Sequence, residues 1–168
     1  MKPPASPFPE DRARPADLSA AGDRPLPFAT TPGEHIYSLR VRYAESDQMG
    51  VSYHANYLVW FEVGRTEWMR SRGYAYRGLE AEGVFLPVTE AACRYLVATR
   101  YDDLLYVATS IGRLGRTVVR FEYRIHKEDG RLAATGHTEH CFLSRDGRPT
   151  RAPSTIARIL ASGLPDDS

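Results

Sequence analysis

One long helical pattern, followed by four strand patterns joined by short turns, constrains the fold of this chain more than any other feature. Between residues 56 and 72, apolar side chains recur at intervals near three and four, and a glycine follows, which is typical of the end of a helix. The strand patterns then follow as Val84–Thr99, Leu104–Leu114, Arg116–Lys127 and Arg131–Leu143. With a further strand pattern at Ile36–Tyr43, this order predicts an α+β fold in which the helix packs on a five-stranded antiparallel sheet.

Gly64 lies in the interior of the predicted helix, where glycine costs roughly 1 kcal/mol relative to alanine. A close approach of the helix backbone to the sheet would offset that cost, so we expect Gly64 to face the sheet.

The ends of the chain differ in composition from its middle. Eight of the twelve prolines precede residue 33, which predicts a disordered, proline-rich tail over residues 1–34 whose removal leaves the fold intact. Residues 35–152 form the predicted domain. A short helix at Pro153–Ala161 and a tail complete the chain over residues 153–168.

Charge and cysteine content exclude several classes of protein. The net charge is +1, from 22 Lys and Arg against 21 Asp and Glu, so no excess of positive charge indicates a nucleic acid or an anionic membrane as partner. No apolar run approaches the ~20 residues that span a bilayer. Cys93 and Cys141 belong to no metal or disulfide motif, and we expect two reduced thiols in a cytoplasmic protein.

Common catalytic motifs are missing from the sequence, which contains no G-x-S-x-G, no G-x-x-x-x-G-K-[ST] and no G-x-G-x-x-G before a helix. His137 and His140 are three apart in a strand, so we expect them on opposite faces, in structural or surface roles and not as metal ligands. The segment Gly112–Arg116 joins two strand patterns, and we interpret it as a hairpin with solvated arginines.

A carboxylate in a turn, Asp47, precedes the predicted helix by about nine residues. The first amides of a helix are unpaired and carry partial positive charge, so they would polarise a thioester carbonyl placed there. A carboxylate beside that carbonyl could attack it or activate a water molecule. Aspartate is also a common turn former, so this pattern alone leaves both roles open.

The residues around this turn resemble a known family. The run Asp47–Tyr57, preceded by Val41-Arg42-Tyr43 and followed by Glu62-x-x-Arg65-Thr66-Glu67, closely resembles the hotdog-fold 4-hydroxybenzoyl-CoA thioesterase family. It is most similar to bacterial acyl-CoA thioesterases, including the branch associated with the Tol-Pal system. The resemblance covers about residues 36–152 and includes an acidic turn at Tyr101-Asp102-Asp103.

This resemblance implies a long central helix wrapped by the sheet, acyl-CoA as substrate and hydrolysis without cofactor or metal. It implies that Asp47 is the nucleophile or general base, that the backbone amide of His54 polarises the carbonyl, and that Tyr53 and Asn56 line the site. It also implies a homodimer or a dimer of dimers, that is a homotetramer, with active sites at the dimer interface. Exposed arginines should meet the phosphates of coenzyme A, with candidates Arg94, Arg100, Arg113, Arg116, Arg120 and Arg124.

Two other functions share this fold. One is a non-catalytic module that binds acyl-CoA. The other is a hydratase or dehydratase, whose Asp and His stand closer together than the seven residues that separate Asp47 from His54. The sequence leaves open the acyl group and the choice between coenzyme A and acyl carrier protein.

Overall fold

The computed structural model describes residues 25–74 and 76–164, and its helices and strands follow the predicted order with additions. The strands are β1 (His35–Arg40), β2 (Val84–Phe85), β3 (Val88–Tyr95), β4 (Leu104–Leu114), β5 (Val118–Lys127), β6 (Leu132–Cys141) and β7 (Leu143–Ser144). The helices are α1 (Asn56–Ser71), α2 (Tyr76–Ala81) and α3 (Ser154–Ala161), with a 3₁₀ turn at Tyr43–Glu45.

Five strands form one antiparallel sheet in the order β1-β4-β5-β6-β3. The helix α1 packs on one face of this sheet, which we call the inner face. The predicted α+β fold, with a long helix on a five-stranded antiparallel sheet, is confirmed. β1 and β3 form the two edges, and the segment between β1 and α1 contains Asp47.

The core lies between α1 and the inner face. Phe61 of α1 stacks on Tyr123 of β5 with ring centroids 4.3 Å apart, and Trp68 contacts Phe121 edge to face. All four side chains are almost fully buried. Because burying an aromatic side chain contributes a few kcal/mol, these pairs fix where α1 lies on the sheet and therefore where it begins.

Gly64 faces the sheet, as its position in the helix predicts. A Cβ atom at position 64 would lie 2.6 Å from Thr109 Oγ1 and 2.9 Å from Val107 Cγ1. Only glycine therefore allows α1 to approach β4 this closely.

The predicted strand Val84–Thr99 is wrong in its continuity. The structure divides it into β2, which pairs with β7, and β3, which pairs with β6. Leu86 and Pro87 separate the two strands, because proline has no N–H for a strand ladder and its ring restricts the residue before it. The short helix α2 was not predicted.

The N-terminal residues that the structure describes pack against the domain. Phe28 stacks on His126 with centroids 3.9 Å apart, on the sheet face opposite α1, which we call the outer face. The Glu34 carboxylate lies 2.7 Å from Arg124 Nη2, and the carbonyl of Gly33 accepts a hydrogen bond from the Trp68 indole at 3.0 Å.

Residues 25–34 therefore differ from the disordered tail that was predicted over residues 1–34. One aromatic ring and one ion pair hold a segment whose overall composition indicates disorder. Residues 1–24 and 165–168 lie outside the described residues, and α3 ends within the described part at Ala161. Within the described ranges no helix is long and apolar enough to cross a membrane.

Candidate active site

Asp47 begins a tight turn between β1 and α1. Its Oδ1 accepts a hydrogen bond from the N–H of Met49 at 2.8 Å, and its carbonyl accepts one from Gly50 at 3.0 Å. Gly50 has φ of 71°, a left-handed conformation that favours glycine. The side chain of Asp47 is half-buried, and its Oδ2 has no hydrogen-bond partner among the residues described. Aspartate thus shapes the turn with one oxygen and leaves the other available.

A short backbone ladder ties this turn to the start of α1. The N–H of Asp47 donates to the carbonyl of Val51 at 2.9 Å, and Ser46 forms an isolated antiparallel bridge with Ser52. The N–H of Tyr53 donates to the carbonyl of Glu45 at 2.8 Å. His54 is the next residue, so the ladder holds the turn of Asp47 alongside the residues that lead into the helix.

The start of α1 has no side-chain cap and no acidic residue in its first turn. The N–H groups of Asn56, Tyr57 and Leu58 donate to carbonyls three residues back, at 3.0, 3.4 and 3.1 Å. Within the described ranges, the backbone N–H groups of His54 and Ala55 have no acceptor. Two consecutive donors at the positive end of a helix dipole are therefore available to an oxygen of a ligand.

Three other predicted site residues lie at this helix start. Tyr53 and His54 are both exposed, with ring centroids 4.3 Å apart. Asn56 donates from Nδ2 to the carbonyl of Glu45 at 2.8 Å, so its amide holds the turn. Tyr95, at the end of β3, donates from its hydroxyl to the carbonyl of His54 at 3.1 Å. The structure therefore brings the predicted residues to one place and gives Asn56 a structural contact.

Glu45 is buried beside the site and was not identified from the sequence. Its carboxylate accepts hydrogen bonds from the Arg42 N–H at 2.7 Å, from Arg42 Nη2 at 2.9 Å and from the Trp60 indole at 3.2 Å. Burial acts to raise the pKa of the carboxyl, but the donors of Arg42 and Trp60 and the charge of Arg42 outweigh it, so the pKa is held below its ordinary value.

A chain of buried hydroxyls connects the same segments. The Tyr57 hydroxyl lies 2.9 Å from Thr99 Oγ1, and Thr99 Oγ1 donates to Ser52 Oγ at 2.7 Å. All three side chains are buried. These hydrogen-bonded hydroxyls connect α1, the segment after β3 and Ser52, the residue that forms the bridge with Ser46. Satisfied buried networks of this kind rigidify their surroundings.

The six arginines predicted as phosphate ligands separate into two groups. Three of them pair with carboxylates, namely Arg113 with Glu139, Arg120 with Glu122 and Arg124 with Glu34. The guanidinium groups of the other three have no partner among the described residues, and these are Arg94, Arg100 and Arg116. The backbone carbonyl of Thr99, next to Arg100, accepts a hydrogen bond from Ser52, so Arg100 lies near the candidate site.

The two histidines of β6 lie on opposite faces, as predicted. His140 is fully buried, with its ring nitrogens 3.2 Å from the carbonyl of Leu86 and 2.8 Å from Thr138 Oγ1. His137 lies on the outer face, 2.7 Å from Glu90 Oε1. Across residues 25–74 and 76–164 no cluster of three or more His, Cys, Asp or Glu is arranged to hold a metal ion.

A long helix wrapped by an antiparallel sheet, with a carboxylate turn beside an uncapped helix start, defines a hotdog-fold protein. The family model described as Thioesterase superfamily matches residues 49–134, about half of the chain. The protein therefore belongs to the thioesterase superfamily, which confirms the resemblance seen in its sequence. The matched segment begins two residues after Asp47 and includes the helix start and all of β3, β4 and β5.

Individual relatives extend this match to most of the chain. An acyl-CoA thioesterase of Haemophilus influenzae, YbgC, is 37% identical over 121 residues, which cover 71% of this chain and 89% of that protein. A putative esterase of Aquifex aeolicus is 32% identical over 125 residues, which cover 74% and 96%. The solved structure of a DHNA-CoA thioesterase from Staphylococcus aureus has a TM-score of 0.68 at 36% identity and covers 70% of this chain and 80% of that one.

Proposed function

We propose that this protein hydrolyses acyl-coenzyme A thioesters to the free acid and coenzyme A, with Asp47 as its catalytic carboxylate. One observation carries the proposal: the backbone N–H groups of His54 and Ala55 have no acceptor in the described chain, at a helix start tied to the turn of Asp47. The names of the relatives, an acyl-CoA thioesterase and a DHNA-CoA thioesterase, support the substrate class.

The chemistry requires a donor for the carbonyl oxygen and a base or nucleophile for the carbonyl carbon. The N–H of His54 donates to the carbonyl oxygen and stabilises the negative charge that develops there. Asp47 either takes a proton from the attacking water or attacks the carbon itself, forming an anhydride that water then hydrolyses. In both routes the coenzyme A thiolate leaves and takes up a proton. Tyr53, which is 48% exposed, lies beside His54 and lines the acyl or pantetheine path.

The same proposal includes a homodimer formed through β3. Seven of the eight residues of this edge strand are exposed, including Val88 and Tyr95. An exposed edge offers unpaired backbone groups, and a twofold antiparallel pairing of two β3 strands would cover both edges. Leu58 and Val59 on α1 are also exposed, and they follow Tyr57, whose ring lies 4.9 Å from that of Tyr95 in β3. Light scattering distinguishes the dimer from the homotetramer that the resemblance also allows.

A cytoplasmic location belongs to the proposal as well. It is supported by the two cysteines, Cys93 and Cys141, which are free thiols in the structure, as expected in a reducing compartment.

The experiment that tests the function measures thiol release from a panel of short, medium, long and aryl acyl-CoAs, with acyl carrier protein thioesters as a separate arm. The expected result is turnover of at least one thioester by the wild-type chain and its loss in Asp47→Asn. Binding of every panel member without release of thiol would indicate the non-catalytic binding module. An enoyl-CoA is tested alongside the panel, and its conversion to a hydroxyacyl-CoA without thiol release would indicate the hydratase.

A further inference from the structure

We propose that Glu45 is a positioning residue for this reaction, one that holds the turn of Asp47 against the start of α1. The inference rests on the proposed function, because it assigns to Glu45 the task of fixing the distance between the catalytic carboxylate and the N–H of His54. Glu45 is only 5% exposed and precedes Asp47 by two residues.

The side chain of Glu45 connects the 3₁₀ turn to α1. Oε2 accepts from the Arg42 N–H at 2.7 Å, and Oε1 accepts from Arg42 Nη2 at 2.9 Å and from Trp60 Nε1 at 3.2 Å. Trp60 lies in the second turn of α1 and is 2% exposed. One carboxylate thus receives donors from both segments that flank the turn of Asp47.

The main chain of Glu45 makes the same connection a second time. Its carbonyl oxygen accepts from the N–H of Tyr53 at 2.8 Å and from Asn56 Nδ2 at 2.8 Å. Tyr53 adjoins His54, and Asn56 is the first residue of α1. The backbone carbonyl of Glu45 is therefore hydrogen-bonded to residues on both sides of His54, whose N–H is the proposed donor to the thioester. The carboxylate of Glu45 in turn fixes the orientation of the Glu45 backbone.

A buried carboxylate suits this task because it accepts several charge-assisted hydrogen bonds in defined directions. Glutamine has nearly the same size, but its NH₂ group would point a donor at the N–H or the guanidinium of Arg42. The turn would then shift to relieve that contact. Displacements of about 1 Å between reacting groups can lower a rate by about 10².

The test compares Glu45→Gln with Glu80→Gln, a matched substitution at an exposed position of α2. We expect Glu45→Gln to lower kcat by about 10- to 100-fold while KM stays within about threefold, because binding does not depend on the placement of Asp47. Binding of a non-hydrolysable acyl-CoA thioether should be unchanged. Glu80→Gln should match the wild type.

A double variant distinguishes positioning from general destabilisation. If Glu45 acts through Asp47, adding Glu45→Gln to Asp47→Asn should change the residual kcat by less than about twofold. Equal fold losses in both backgrounds would overturn the proposal, since they would show an effect that does not pass through Asp47. Full activity of Asp47→Asn would refute the catalytic role of Asp47 in the proposed function, whereas a fully active Glu45→Gln beside an inactive Asp47→Asn refutes only the role of Glu45.

Trp60→Phe provides a second variant if Glu45→Gln does not fold. It removes the indole donor to Glu45 and keeps an aromatic ring against Tyr57, whose centroid lies 4.7 Å from that of Trp60. A fall in kcat with unchanged KM is again expected. A folded Trp60→Phe with wild-type kcat would overturn the inference.

Discussion

The hydroxyl of Tyr95 donates a hydrogen bond to the carbonyl of His54 at 3.1 Å, which joins the exposed edge strand β3 to the start of α1. The same carbonyl accepts the N–H of Tyr57 at 3.4 Å. The peptide unit before Ala55 is therefore oriented by both the helix and the edge strand. The surface proposed for dimerisation and the proposed carbonyl donors are parts of one structural unit.

Tyr95→Phe should lower kcat about 3- to 10-fold, because loss of one hydrogen bond of about 1 kcal/mol loosens the peptide that carries the Ala55 N–H and adjoins the N–H of His54. KM should change little, and the melting temperature should fall by no more than about 2–4 °C. Steady-state hydrolysis and thermal melts check this. Tyr101→Phe is the control, since the Tyr101 ring contacts Tyr43 and its hydroxyl has no partner in the described residues. Equal kinetics for the two variants would show that the Tyr95 hydroxyl does not orient the site.

Val88→Glu should weaken the dimer and reduce activity in parallel. Val88 is 52% exposed at the beginning of β3, and in the proposed antiparallel pairing a charge there would lie against the opposite end of the neighbouring β3 strand, where Tyr95 is exposed. Size-exclusion chromatography with light scattering, at protein concentrations from 1 to 100 µM as a rough span for weak dimers, would measure the shift. Thr155→Glu on the exposed side of α3 is the control. A wild-type chain that is monomeric and active throughout would contradict both the dimer and its role.

The sequence predicts much of this fold because the spacing of apolar residues along a segment indicates which face of a helix or strand is buried. The period of α1 indicates the helix, Gly64 indicates its close approach to β4, and the alternation in β6 separates His137 from His140. Pro87 indicates the break between β2 and β3, but the apolar residues around it made the segment Val84–Thr99 resemble one continuous strand. Composition does not indicate the contacts of residues 25–34, because these contacts depend on individual residues, such as Phe28 on His126 and Glu34 with Arg124, which a proline-rich average does not report.

In the candidate site, too, the sequence indicates some residues and not others. Asp47 and the helix start are contiguous in the chain, so a motif can indicate them. Glu45 is different, because its partners Asn56 and Trp60 lie 11 and 15 residues further along the chain. Whether such residues are in contact depends on how the turn folds back on α1, and the spacing of apolar residues along the sequence does not indicate this.

Deletion of residues 1–33 should destabilise the domain, contrary to the expectation from composition. The deletion removes the ring of Phe28 and the carbonyl of Gly33, and it leaves the buried Trp68 indole without its acceptor. An unsatisfied buried donor alone costs about 1–3 kcal/mol, so we expect the melting temperature to fall by about 5 °C or more. Deletion of residues 1–24 is the matched control and should have little effect. Identical melting curves for the two deletions would show that residues 25–33 contribute nothing to stability.

The protein should become less stable as the pH falls below about 6.5, in part because of His140. Burial and the charge of Arg65 lower the pKa of His140 from 6.5 to about 4, against a smaller opposing effect of the Leu86 carbonyl. The unfolded chain binds a proton at higher pH than the folded one, so this contribution is complete above about pH 6.5 and is lost as the pH falls towards 4. His140 contributes at most roughly 3 kcal/mol to the free energy of unfolding in this way.

Denaturant unfolding of His140→Gln from pH 4 to 8 measures this contribution. The variant should be less stable at pH 8, because Gln does not reproduce the contacts with Leu86 and Thr138, yet its stability should depend less on pH than that of the wild type. Some dependence remains, since burial also lowers the pKa of His126. Parallel pH profiles for His140→Gln and the wild type would mean that His140 does not carry the effect.

Asp47 is expected to act only as the carbonyl carbon becomes tetrahedral, so its replacement should lower kcat far more than it raises KM. Loss of a general base costs about 10² to 10⁴ in rate. A nucleophile would leave Asp47→Asn and Asp47→Ala equally inactive, because neither can form an anhydride. Met49 N–H bonds to Asp47 Oδ1, and Asn retains an oxygen for that bond whereas Ala does not.

Asp47→Glu tests the geometry most sharply. It keeps the charge but moves the carboxylate by about one methylene, in a turn fixed by the bonds of Met49, Gly50 and Val51 to Asp47, and near-attack geometry tolerates little displacement. We therefore expect a folded variant with strongly reduced kcat. Thermal melts of the three variants separate catalysis from folding, and Asp47→Asn gives the cleanest comparison because it preserves the turn. If Asp47→Ala is folded and keeps more than about a tenth of the wild-type kcat, well short of the general-base range, Asp47 serves the turn and another group carries the reaction.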